Sequence, residues 1–219
     1  MKKQERKGLS GTFTHDGPFY SATGKIFDLA AVSVYWLIGS IPLVTAGAAF
    51  SALYAAVTKS VQEDRGSVSA EFWRAYRRDM KQSIPIWLIF SAALFLLMLN
   101  YGIFRENAQG VAGMFFQVLY SALTLFVLTA ACYVFPLLSR FDMPFGWQIK
   151  LSLYMTVRYL PKSLLILVLF LMCYFLIWKQ PVLVLILPGV FTLAASYWME
   201  PLLARHMPKE NPDEEDANE

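Results

Sequence analysis

The chain has 219 residues, 57% of them hydrophobic and 16% charged, with mean hydropathy +0.45 and a formal net charge of +3. Soluble domains carry about 25% charged residues, so this composition excludes an ordinary water-soluble fold, and the long uncharged runs behind it predict transmembrane helices. Cys132 and Cys173 both lie inside apolar runs, where thiols act as small hydrophobes and offer neither a disulfide framework nor a metal site.

Residues 1–25 form a polar, basic leader. It has no short hydrophobic core followed by a small-residue cleavage site, so no cleavable signal peptide is expected. Residues 26–204 read as a single transmembrane helical domain. The last residues, "KENPDEEDANE", are acidic and nearly free of apolar groups, which predicts a disordered cytoplasmic tail over 205–219.

The first apolar run, Ile26 to Thr58, has 33 residues. As one helix it would measure about 50 Å, against a hydrocarbon core of about 30 Å. Its centre holds Gly39, Ser40, Pro42, Thr45 and Gly47. Pro42 lacks an amide hydrogen and disfavours helical geometry at Ile41. Ser40 and Thr45 are then placed to hydrogen-bond the carbonyls set free, which is how broken backbone survives at membrane depth. Two short spans and a re-entrant hairpin fit the length equally. Gly47, Ser51 and Ala55 recur every four residues, a small-residue face that lets a second helix approach closely. Ser40, Pro42, Thr45 and Gly47 are therefore a candidate broken-helix site, read either as a packed turn or as a ligand site of the kind found in transporters.

Four further runs follow: Ile84 to Phe104, Val111 to Ser139, Ser163 to Trp178 and Pro181 to Leu203, the last two joined by "WKQP". If the first run enters and returns on one side, 17 of the 19 Lys and Arg residues fall on the cytoplasmic side, leaving only Arg105 and Lys179 outside. A single crossing would destroy that asymmetry. The expected fold is all-α: a polytopic membrane protein of about six spans, the first two a short or broken hairpin, with both termini cytoplasmic.

Two cytoplasmic segments share a plan. "VSAEFWRAYRRDMKQSIP" sets Phe72, Trp73, Tyr76 and Met80 on one stripe, with Arg74, Arg77, Arg78 and Lys81 largely off it, which predicts an interfacial amphipathic helix. "FDMPFGWQIKLSLYMTVRYLP" does likewise, with Asp142 as N-cap and Phe145, Ile149 and Tyr154 among its apolar residues. Each leads through a proline, Pro85 or Pro161, into the next span, which suggests a weak internal repeat. The basic loops with their aromatic stripe suit the anionic inner leaflet better than nucleic acid. Phe72, Trp73, Arg74, Tyr76, Arg77 and Arg78 are the candidate surface for docking a partner.

Ionisable residues within the spans would mark ion or proton pathways. Asp28 and Glu200 sit near the cytoplasmic ends of the first and last runs, where interfacial water or a basic loop residue can meet them. His15 and His206 lie in flanking polar segments without an acidic or cysteine neighbour cluster. Asn100, Gln117 and Gln180 are the main amides of the outward halves, suited to bonds between helices or to external water. No catalytic motif, metal-ligand spacing or phosphate loop is present in the sequence, so no enzyme, cofactor or metal is expected.

"GPFYSATGKIFDLAAVSVYWLIGSIPLVTAGAAFSALYAAV", "FWRAYRRDMKQSIP" and "YVFPLLSRFDMPFGWQIKLSLYMTVRYLP" together resemble the YesL-like bacterial membrane proteins, over roughly Pro18 to Leu203. The turn containing Pro42, Val44, Thr45 and Gly47, after a span bearing Trp36, is the most specific part. Ser33 stands where many members carry an asparagine. The resemblance implies a bacterial plasma-membrane protein associated with carbohydrate uptake, since such proteins are typically encoded beside sugar permeases of the ABC class. It carries no catalytic or binding residues with it. The expectation is a non-enzymatic accessory membrane protein that assembles with a carbohydrate ABC permease in the lipid bilayer; the alternative is a small stand-alone transporter or channel.

Overall fold

The computed structural model describes residues 18–63, 66–107, 110–141 and 143–203. The leader up to residue 17, the tail from 204, His15, His206 and Asp142 lie outside them. The described residues are helical with no strand: α1 (Pro18–Gly39), α2 (Ala46–Ala56), α3 (Val68–Asn107), α4 (Gly110–Arg140), α5 (Phe145–Arg158), α6 (Leu160–Lys179) and α7 (Leu187–Leu203). A 3-10 turn, Leu43–Thr45, precedes α2, a π-helical turn, Val57–Gln62, extends it, and a second 3-10 segment, Pro181–Leu185, precedes α7.

α2 is the centre of the fold. Its sequence, "AGAAFSALYAA", is built from small residues, and all but Phe50 are buried. A helix apolar all round must be covered all round, and α1, α3, α4 and α7 cover it. Small side chains let these backbones come close. At Gly47 an added Cβ would lie 2.8 Å from Trp87 Cβ and 2.9 Å from Phe135 Cε1. At Gly189 it would lie 2.6 Å from the Leu29 carbonyl oxygen. Gly47, Ser51 and Ala55 are all buried, as the four-residue spacing predicts.

Three helices are long and apolar enough to cross a bilayer: α3 as far as Arg105, α4 and α6. They account for three of the expected runs. α2 and its continuation reach the first charge, Lys59, after 13 residues from Ala46, about 20 Å of helix. That is short of the hydrocarbon core. α7 has 17 residues, about 26 Å.

The two segments with a common plan fold differently. α3 runs unbroken from the charged stretch through Pro85 to Asn107. α5 stops at Arg158; Tyr159 leaves helical geometry at φ −115° and ψ 41°, and α6 starts with Pro161 in its first turn. There the missing amide hydrogen of proline has no helical bond to lose. Residue 144, a proline, occupies the N-cap position of α5.

Candidate functional site

The helix break is the first place to look for exposed backbone. Ser40 and Ile41 still donate to Trp36 and Ile38 carbonyls, at 2.9 and 3.2 Å, and the chain then turns extended at Pro42. The Thr45 hydroxyl lies 3.0 Å from the Gly39 carbonyl and 2.8 Å from that of Pro42. The Tyr76 hydroxyl, from α3, donates to the same Gly39 oxygen at 3.2 Å. Thr45 therefore takes the capping role that its position predicts, its single hydroxyl hydrogen serving the Pro42 and Gly39 carbonyls, and Tyr76 adds a second donor at Gly39. The Ser40 hydroxyl does not share that role: it is buried without a partner, as is Trp36 Nε1. Ile41, Pro42, Leu43 and Val44 form an exposed apolar tip.

Phe72 and Tyr76 flank Gly39. The aromatic stripe of α3 thus faces its own chain. Phe72 is fully buried and Tyr76 nearly so, within a cluster that includes Val32, Ala49 and Leu53. Trp73 is half-buried against Tyr35. The expected docking anchors Phe72 and Tyr76 are core residues here, because α1 and α2 supply the apolar cover that an amphipathic stripe requires. Arg74 and Arg77 remain exposed, Arg74 paired with Glu71.

α5 faces the other way. Its buried residues are Gln148, Ser152, Met155 and Thr156, whereas Trp147, Leu153, Tyr154 and Val157 are exposed. Phe145 and Ile149 pack at the edge of a core cluster with Phe135 and Leu138. Lys150 stands over the Trp147 ring at 5.3 Å. An outward apolar face with cationic neighbours is what an interfacial helix presents to a bilayer.

Two ionic knots bind the base of the bundle, and sequence patterning finds only one of them. In the first, the Ser51 hydroxyl of α2 donates to Asp79 of α3, which is 4% exposed. Arg78 Nε donates to the other Asp79 oxygen at 2.6 Å, and its Nη2 donates to the Ser139 carbonyl of α4 at 2.9 Å. In the second, the Tyr54 hydroxyl donates to Glu200 of α7 at 2.8 Å, and Arg140 grips both Glu200 oxygens at 3.1 and 2.7 Å. Glu63 approaches Arg140 at 3.6 Å. Glu200 therefore meets a basic residue, as its place at a span end predicts. Asp79 escapes notice in the sequence because it sits among arginines; its signal is position, since 72, 76, 79 and 83 form one helical stripe.

Other polar residues bond within or between helices, or lie at the surface. Ser33 donates to the Leu29 carbonyl at 2.8 Å and accepts the Gly189 amide at 2.9 Å, joining α1 to α7. Gln62 reaches Ser196 at 2.7 Å. The Asn100 amide bonds the Leu96 carbonyl of its own helix at 2.8 Å, so this donor is engaged within α3. Gln180 is exposed at the end of α6. Asp28 is partly exposed on α1.

No curated protein and no solved structure matches the chain. Residues 29–101 match a family described as "Protein of unknown function, DUF624"; the matched third of the chain holds the helix break, α2, the Ser51–Asp79 contact and most of α3.

Proposed function

We propose that this chain is a YesL-like protein of the bacterial plasma membrane, with six membrane segments and both termini cytoplasmic, acting as a non-enzymatic accessory to a carbohydrate importer of the ABC class. The carrying observation is that Asp79 with Arg78 and Glu200 with Arg140 tie the base together across helices, while Arg74, paired to Glu71 of its own helix, and Arg77 stay exposed at the start of α3. A scaffold whose internal charges are tied off, and which still presents cations on a fixed helix, suits docking against an acidic protein surface. The six-segment topology rests on the distribution of Lys and Arg, and the link to carbohydrate uptake rests on the family resemblance.

Arg78 also holds Asp79, so the test leaves it in place. The test is affinity purification of the full chain from its host in mild detergent, with partners identified by mass spectrometry. Recovery of an ABC permease with the wild type, weakened by the double change Arg74→Ser and Arg77→Ser, supports the reading. Recovery of the chain alone overturns it and passes the question to the stand-alone transporter, which flux measurements in liposomes would decide.

A further inference from the structure

An apolar cavity of about 170 Å³ lies between α2, α3, α4, α6 and α7. A cavity of about 150 Å³ lined by Leu, Ile and Phe stays dry and takes up a benzene-sized guest, so this one has room for a short hydrocarbon segment. Its floor is made by buried Tyr54, Ile166, Ala195 and Met199. Leu94, Leu128, Phe170 and Phe191 line its other end and are only partly buried. The space is therefore a funnel, closed at the polar base of the bundle and open among the span helices.

Two observations limit the occupant. The hydroxyls on the wall are already committed: Tyr54 donates to Glu200, and Thr192 donates to the Pro188 carbonyl. A polar guest would lose its hydration and gain no partner, a penalty an alkyl chain does not meet. The mouth is flanked by charge-free stretches of three helices of span length, Ile84 to Phe104, Val111 to Ser139 and Ser163 to Trp178. At that depth the surrounding solvent is lipid hydrocarbon, present at high concentration. We infer that the cavity binds the acyl chain of a bilayer lipid, inserted between α3, α4 and α6 with its end toward Tyr54 and Met199. This site is independent of the docking face at Arg74 and Arg77.

The test uses the full chain reconstituted in vesicles of phosphatidylethanolamine and phosphatidylglycerol, with a trace of phospholipid carrying a diazirine near the end of one acyl chain. After illumination, adducts are mapped by mass spectrometry. The expected map shows adducts on Cys132 and on the Phe191–Met199 stretch, besides those on lipid-facing residues such as Phe95 and Val118. Filling the cavity by Ala131→Phe should lower the Cys132 and Phe191–Met199 adducts about tenfold and leave those at Phe95 and Val118 unchanged. Adducts confined to outward faces in the wild type overturn the inference, whether or not the Ala131→Phe protein folds. So does an unchanged map in a folded Ala131→Phe protein.

Discussion

The start of α3 and the helix α5 have the same recipe: aromatic and basic residues mixed over some fifteen positions, then a proline, then an apolar span. The fold uses them in opposite senses. α3 turns its aromatic stripe inward onto α1 and α2 and continues through Pro85 as one helix. α5 buries Gln148, Ser152 and Thr156, shows Trp147 and Tyr154 outward, and separates from α6 at Tyr159. A proline in a helix interior removes one backbone bond and crowds the preceding turn. That loss is tolerable where packing grips the helix on both sides, and Gly47 sits against both Ser83 and Trp87, astride Pro85. At Pro161 the chain uses a different solution: the Ser163 hydroxyl lies 3.1 Å from the Thr156 carbonyl and 3.1 Å from the Tyr133 hydroxyl, closing the end of α5. Proline does not decide continuity; what lies beside it does.

The comparison can be broken most forcefully at the buried polar groups. Asp79→Ala removes the partner of Ser51 and Arg78 and should lower unfolding stability by about 3 kcal/mol, the lower end for a broken buried pair because the Arg78 side chain is partly exposed. Gln148→Met, on the buried face of α5, should cost less than about 1 kcal/mol, since its amide bonds are long at 3.3 Å and Oε1 has no partner. Denaturant unfolding in detergent measures both, and equal losses would mean that the two helices are anchored alike.

A smaller effect is expected at the crossing of α2 on α3. Gly47→Ala forces a methyl group against Trp87 and Phe135 and should cost about 1–3 kcal/mol. A neutral result would show that the two helices can part, and the account of continuity through Pro85 would fail with it. The smallest effect sharpens the contrast between the prolines. Pro85→Ala should raise stability by about 1 kcal/mol through the restored backbone bond, whereas Pro161→Ala, in the first turn of its helix, should move it by less than about 0.5 kcal/mol. Thermal unfolding of the two single variants side by side tests the difference.

Much of this was legible from the residues. Charge-free runs located α3, α4 and α6, and Pro42 with Thr45 located the break and one of its caps. The facing of the two amphipathic segments was not legible, because a stripe such as Phe72, Trp73 and Tyr76 demands an apolar cover without saying whether lipid, a partner or the same chain supplies it. The donor from Tyr76 to Gly39 spans 37 positions, and the Tyr54–Glu200 contact spans 146; no local spacing encodes either. The inverted burial of α5 was hidden for a related reason: Ser152 and Thr156 bond their own helix at Ile149 and Ser152, each at 2.8 Å, so hydroxyls that look solvated in sequence satisfy themselves and enter the core.

The close contact of Gly47 with Trp87 and Phe135 also has a mechanical meaning. Pro85 of α3 and Pro136 of α4 each stand within two residues of that contact, so the two longest helices lack a backbone bond at nearly the same height. Below it they are pinned together by Arg78 and Ser139; far beyond it they stack Phe104 on Phe116 at 4.6 Å. The backbone ladders of both helices are therefore interrupted along one shared line, and the contact that holds the pair together there is a glycine.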